Sequence, residues 1–189
     1  STDDDHTVLI YSRLPDGAPL WKVLEAKPKL SVRKTIRMGL DLAAALQALH
    51  EKEVAGESLC LGAVGADHVW VTSKGHAVLL RDPSSPARSP HTDLSTSWIE
   101  RIEPPFRYAA PELVPPDAMP SPRSDVYSLA CLLFSVMIGR PPFEGADQQA
   151  LLAAHQTHLP PELAEAVDRG ADGHPVLRVL AYGMAKDPA

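Results

Sequence analysis

Two side chains in the first half of the chain have the types that proton transfer or metal binding needs. Asp67 and His68 stand next to each other, a carboxylate beside an imidazole. Such a pair could accept a proton or ligate an ion, although a polar loop uses the same residues. Asp82 is a third candidate, preceded by Arg81 and followed by Pro83. A different chemistry belongs to the stretch from Ser84 to Arg101, which carries Ser84, Ser85, Ser89, Thr92, Ser95, Thr96 and Ser97. A phosphate on one of these hydroxyls would add nearly two negative charges and order a loop against Arg88, Arg101 and Arg107.

Other groups carry weaker signals. His155 and His158 are three apart and could share a helix face, with His50 and His91 elsewhere. No third ligand stands at a suitable spacing, so no metal is expected. Cys60 and Cys131 fit no zinc pattern and read as two reduced, buried thiols. Trp21 and Trp70 read as anchors. Trp98, in the polar loop, is the tryptophan best placed for an interaction.

The elements that must position these groups follow from periodicity. His6–Arg13 is a short β-type run, closed by the turn residues Pro15, Asp16 and Gly17. Leu20–Leu24 suits one or two helical turns. Ser31 is an N-cap candidate, and Val32, Ile36, Leu40, Ala43, Leu46 and Leu49 recur at three- and four-residue steps. That predicts an amphipathic helix of about five turns. Val69–Thr72 and Ala77–Leu80 predict a hairpin turning at Ser73, Lys74 and Gly75. Residues 82–107 predict a long loop rich in Pro and Ser.

From Asp125 to Ile138 the sequence is apolar nearly all round, which predicts a central buried helix ended by Gly139. Further helices are expected at Gln148–His155, Pro161–Val167 and Val176–Ala185. The fold class is therefore mainly α, with a central buried helix and one or two small hairpins.

Composition agrees. Hydrophobic residues make up 44% of 189, enough for a real core. The net charge of -6 opposes a nucleic-acid surface, which needs clustered Lys and Arg. No apolar stretch reaches the roughly 20 residues that span a bilayer, and no signal peptide opens the chain. A cytoplasmic location is expected, either free or as the cytoplasmic domain of a membrane protein.

Four segments, in one order, resemble protein-kinase motifs. Tyr108-Ala109-Ala110-Pro111-Glu112 resembles the Y-x-A-P-E that ends the activation segment. Ser124-Asp125-Val126-Tyr127-Ser128-Leu129 resembles the start of the kinase central helix. Gly139-Arg140-Pro141-Pro142-Phe143 resembles the G-x-x-P-F that follows it, and Lys186-Asp187-Pro188 the K-D-P before the last helix. The usage is similar to bacterial, especially actinobacterial, Ser/Thr kinases. The resemblance implies a kinase C-terminal lobe over residues 1–189, with an activation-segment-like loop over 82–107. It also implies structural roles for Tyr108, Pro111, Glu112, Asp125, Pro142 and Phe143. The family partner of Glu112 is an Arg shortly after K-D-P, so an excerpt from a longer chain with an N-lobe is expected.

Kinases write their chemistry as H-R-D-x-K-x-x-N and D-F-G. Setting Val69–Thr72 on the strand after the Asn places the loop on residues 61–68. Ala63 then holds the base position, Gly65 the lysine position and His68 the position of the metal-binding Asn. Arg81 falls where D-F-G begins, with Asp82 one step on. Pro104-Pro105 stand where the family has Gly-Thr. The expectation is a catalytically inactive scaffold or protein-interaction module with no cofactor, ATP being conceivable only with an N-lobe. Its implied partners are other proteins, among them an active Ser/Thr kinase and a forkhead-associated domain reading phosphorylated Thr92, Ser95, Thr96 or Ser97. The competing readings are a nucleotide-binding sensor completed by an N-lobe, and an atypical active kinase using Asp67 or Asp82.

Overall fold

Between Ser121 and Gly139 the chain has clear start and stop signals around an apolar run. A computed structural model, which describes residues 14–54, 57–80, 107–113, 118–145 and 147–186, shows what they produce. Helix α3 spans Pro122–Ile138. Ser121 Oγ accepts from Ser124 N at 3.3 Å, and Ser124 Oγ accepts from Ser121 N at 2.7 Å. This reciprocal cap satisfies two backbone donors, and Pro122 sits at N1, where its missing N–H costs nothing. The helix thus begins three residues before Asp125. Periodicity placed the start too late because the first turn is polar.

Gly139 closes α3 with φ of 91°, and its N–H bonds Ser135 O at 2.8 Å. Leu30 N takes the Val136 carbonyl at 2.7 Å, so the frayed end is satisfied from another segment. A side chain at 139 would force an L-residue into the left-handed region. Gly139→Ala should therefore cost about 1–2 kcal/mol, read as a lower urea midpoint at unchanged m.

Helix α2, Val32–His50, packs across α3. Its N-cap is Ser31, as the sequence predicts, although the Ser31 side chain makes no cap bond; Thr35 Oγ1 bonds Ser31 O instead, at 3.2 Å. The core stripe is Thr35, Met38, Leu42 and Leu46, and only Leu46 belongs to the expected apolar stripe. Val32, Ile36 and Leu40 are 39%, 44% and 68% exposed. The helix carries two stripes at helical spacing, and periodicity alone cannot say which one meets α3.

The remaining helices are α1 (Leu20–Ala26), α4 (Gln148–Thr157), α5 (Pro161–Asp168) and α6 (Pro175–Gly183). α6 packs on both α3 and α5. Phe134, Leu132, Leu42, Leu163 and Met184 are fully buried in the shared core.

A three-stranded antiparallel sheet lies beside α2, in the order β1 (Gly17–Pro19), β4 (Val69–Thr72), β5 (Ala77–Leu79). β4 and β5 form the expected hairpin, with Val69 opposite Leu79. β1 was not expected. Gly17 opens a strand instead of closing a turn, and pairs with Thr72. A Cβ there would collide with Val71 O, so the close strand approach requires glycine. Asp41 Oδ2 accepts from Ala77 N at 2.9 Å and ties the hairpin to α2. A two-residue pair, β2 (Glu53–Val54) with β3 (Glu57–Ser58), links α2 to the segment that follows. The β-type run His6–Arg13 and nearly all of the loop 82–107 lie outside the described residues.

Candidate functional site

Residues 61–68 are held from beneath by the first turns of α3. Asp125 is fully buried, near the start of that helix. Its Oδ1 accepts from Gly62 N at 2.7 Å, and its Oδ2 from Leu61 N at 2.9 Å. His50 Nε2, at the end of α2, donates to the same Oδ2 at 2.8 Å. One turn on, Ser128 Oγ accepts from Val64 N at 2.9 Å and donates to Asp125 O at 3.0 Å. Asp125 therefore serves a distant backbone segment rather than its own helix end. Gly62, with φ of 87°, makes the bend that turns its amide downward.

Above this brace, the side chains that the kinase resemblance places at the reacting positions are small or folded back on their own turn. Ala63 offers a methyl, half-buried. Gly65 is buried, and a Cβ built on it would collide with Asp67 Oδ1. His68 closes a 3-10 turn, Ala66–His68. Its Nδ1 lies 3.2 Å from both Gly65 N and Asp67 Oδ1. As a neutral ring it accepts the Gly65 amide; once protonated it donates to Asp67. Burial raises the Asp67 carboxyl, but the bond and charge of His68, with the local backbone amides, outweigh this and leave it below its ordinary value. The Asp67 carboxylate is thus occupied within its own turn. Arg81 and Asp82 lie outside the described residues, as do the hydroxyl residues Thr92, Ser95, Thr96 and Ser97.

The scaffold motifs converge on a second buried cluster. Pro111–Leu113 forms a 3-10 turn that carries Glu112, and Tyr108 is buried just before it. Glu112 lines a surface pocket with Arg123, Tyr127 and Tyr182. Pro142 and Phe143 are buried, with Phe143 edge-on to His155 at 4.8 Å. Lys186 Nζ lies 4.9 Å from the ring centres of both Tyr127 and Phe143.

Lys186 donates to Tyr127 OH at 2.8 Å, Tyr127 OH donates to His155 Nδ1 at 3.0 Å, and His155 Nε2 donates to Arg107 O at 3.0 Å. Both His155 nitrogens are therefore engaged in the core. His158 caps the exposed end of α4, so the two histidines do not form a ligand pair. Burial, helped by the Lys186 charge, pushes His155 down to about 4 against the pull of the Arg107 carbonyl. Burial also lowers Lys186 to about 8 and raises the Tyr127 phenol.

Among the described residues, one group gathers metal-ligating atoms. His50, Cys60 and Asp125 bring theirs within 4.8 Å of one another. Cys60 is buried with a free thiol, pushed up to about 11 by burial and then by the Asp125 charge. No spacing rule finds this triplet, because its members come from three separate segments.

Comparison with known proteins agrees with the kinase resemblance. The chain is 29% identical over 181 residues to the serine/threonine-protein kinase PknD of Mycobacterium tuberculosis (strain ATCC 25618 / H37Rv), covering 95% of this chain and 26% of that protein. It is 26% identical over 194 residues to PknE of the same strain, covering 97% and 30%. It is 25% identical over 187 residues to PknH of Mycobacterium bovis (strain ATCC BAA-935 / AF2122/97), covering 97% and 29%. The chain thus spans less than a third of the length of these relatives. The model of the family described as protein tyrosine and serine/threonine kinase matches residues 1–167, and the chain belongs to that family.

Proposed function

We propose that this chain is a catalytically inactive kinase C-terminal lobe that acts as a protein-interaction scaffold in Ser/Thr kinase signalling. The observation that carries the reading is the contrast within one loop. The brace from Asp125 and Ser128 to the amides of residues 61, 62 and 64 is intact. The side chains it holds are those of Ala63, Gly65 and His68.

Phosphoryl transfer needs a positioned base and oxygen ligands for magnesium. A methyl cannot accept a proton. The one carboxylate of the loop, Asp67, is taken up by its own turn. A lysine at 65 would have to displace that carboxylate. Among the described residues, this donor set does not fit a magnesium–nucleotide.

The scaffold would present the loop over 82–107. Its hydroxyls, Thr96 and Thr92 first, are acceptors for an active kinase of the same family, and a forkhead-associated domain would read the phosphate. In the intact protein, incubation with ATP and Mg2+ should transfer no more phosphate than the Asp67→Ala, Asp82→Ala double variant does. Transfer that the double variant abolishes would overturn the inactive reading. Incubation with an active relative should place phosphate on residues 92–97, located by mass spectrometry. A loop left unmodified would remove the phospho-scaffold part.

A further inference from the structure

We propose that His50 Nε2, Cys60 Sγ and Asp125 Oδ2 form a site for one Zn2+ ion, buried beside the groove between α2 and α3. The three ligand atoms lie within 4.8 Å of one another. Four-coordinate zinc with bonds of about 2.0–2.3 Å holds its ligands roughly 3.2–3.8 Å apart. His50 Nε2 and Asp125 Oδ2, at 2.8 Å, need only a slight separation to admit an ion between them. Cys60 needs to approach by about 1 Å on the same scale.

The donor chemistry selects the ion. One sulfur, one imidazole nitrogen and one carboxylate oxygen suit a borderline-soft cation, whereas Mg2+ and Ca2+ favour all-oxygen shells. Charge also closes. A thiolate and a carboxylate neutralise Zn2+, and the imidazole stays neutral, so the buried site carries no net charge. On binding, the Cys60 thiol releases one proton to solvent, and the His50 proton moves to Nδ1 while Nε2 takes the metal.

Access and support are present. Cys60 and Asp125 are buried, but His50 is 15% exposed and lines a groove with Gln47, Glu51 and Ser58. The ion would enter along the His50 edge of this groove. Gly62 N holds the other carboxylate oxygen, Oδ1, and Leu61 N would share Oδ2 with the ion. The ion would lock the end of α2, the segment before residue 61 and the start of α3 to one another.

The test uses the chelator-treated intact protein. Titration with Zn2+ should show one equivalent bound per chain and a rise in Tm with Zn2+ concentration. Co2+ in its place should give a sulfur-to-cobalt charge-transfer band in the near ultraviolet. Cys60→Ser should abolish that band and weaken Zn2+ at least 10-fold, while Cys131→Ser keeps both. His50→Gln should weaken binding by a similar factor. Circular dichroism checks that each variant is folded, and the near-isosteric Cys60→Ser decides the matter if His50→Gln is not. Absence of stoichiometric uptake would overturn the site. So would uptake that Cys60→Ser leaves unchanged, which would put the ion on exposed histidines such as His158 and His174.

Discussion

Replacing Asp125 with alanine should lower the stability of this protein by about 3–5 kcal/mol, the range for removing one partner from a buried charged network. The carboxylate accepts three hydrogen bonds, from Gly62 N, Leu61 N and His50 Nε2, and no water reaches a side chain with 0% exposure. Truncation leaves those donors without their acceptor in the interior, and each unmade buried bond costs about 1–3 kcal/mol. Urea denaturation measures the loss as a shift in midpoint at unchanged m.

The comparison variant is Ser128→Ala. It removes one acceptor, the partner of Val64 N, and should cost about 1–3 kcal/mol. Native-state hydrogen exchange should show the amides of residues 61 and 62 losing protection in the Asp125 variant before the rest of α3 does. If Asp125→Ala costs less than about 1 kcal/mol, the bracing of this loop by α3 is wrong.

The second large effect is acid destabilisation through His155. Its folded value is about 4, against an ordinary 6.5 in the unfolded chain. Between those values the unfolded state binds the proton and the folded state does not, so stability rises with pH across that window. The contribution is complete above about 6.5 and is lost as the pH falls toward about 4. The ring is 0% exposed, so little screening discount applies, and the total is on the order of 3 kcal/mol. Other carboxylates titrate near the low end. The informative quantity is therefore the difference between the parent protein and His155→Gln, measured by urea unfolding from pH 4 to 7. That difference should grow with pH and flatten near neutrality. A pH-independent difference would mean that burial and the Lys186 charge do not hold the ring neutral. Lys186, lowered to about 8 by burial, works in the same direction at alkaline pH. It is only partly buried, so its effect is smaller.

These two residues also divide the molecule by what could be read in advance. Asp125 stands in the Ser124–Leu129 motif, which the kinase resemblance gives a structural role; the structure adds which amides its carboxylate holds, those of residues 61 and 62. His155 was weighed as a metal ligand with His158, because spacing sees only a shared helix face. Its ring nitrogens are taken by Tyr127 and by the Arg107 carbonyl, 28 and 48 positions away in the chain. The activation-like loop stays an expectation, since its candidate phosphosites lie outside the described residues.

The sequence by itself determined the mainly α class, the buried α3, its stop at Gly139, the β4–β5 hairpin and the kinase motif order. Each depends on residues within a few positions of one another, where helical period, backbone φ and turn chemistry act locally. Only the tertiary structure decided which stripe of α2 meets the core, that Gly17 pairs with Thr72, and that Asp67 is spent on its own turn and His68. It alone brought His50 to Asp125 across 75 positions, with Cys60 beside them. The physical reason is that packing chooses among faces and rotamers of similar local energy, and only the assembled core separates them. The residues at 63, 65 and 68 were legible as letters. That the loop beneath them is still held by Asp125 and Ser128 was not.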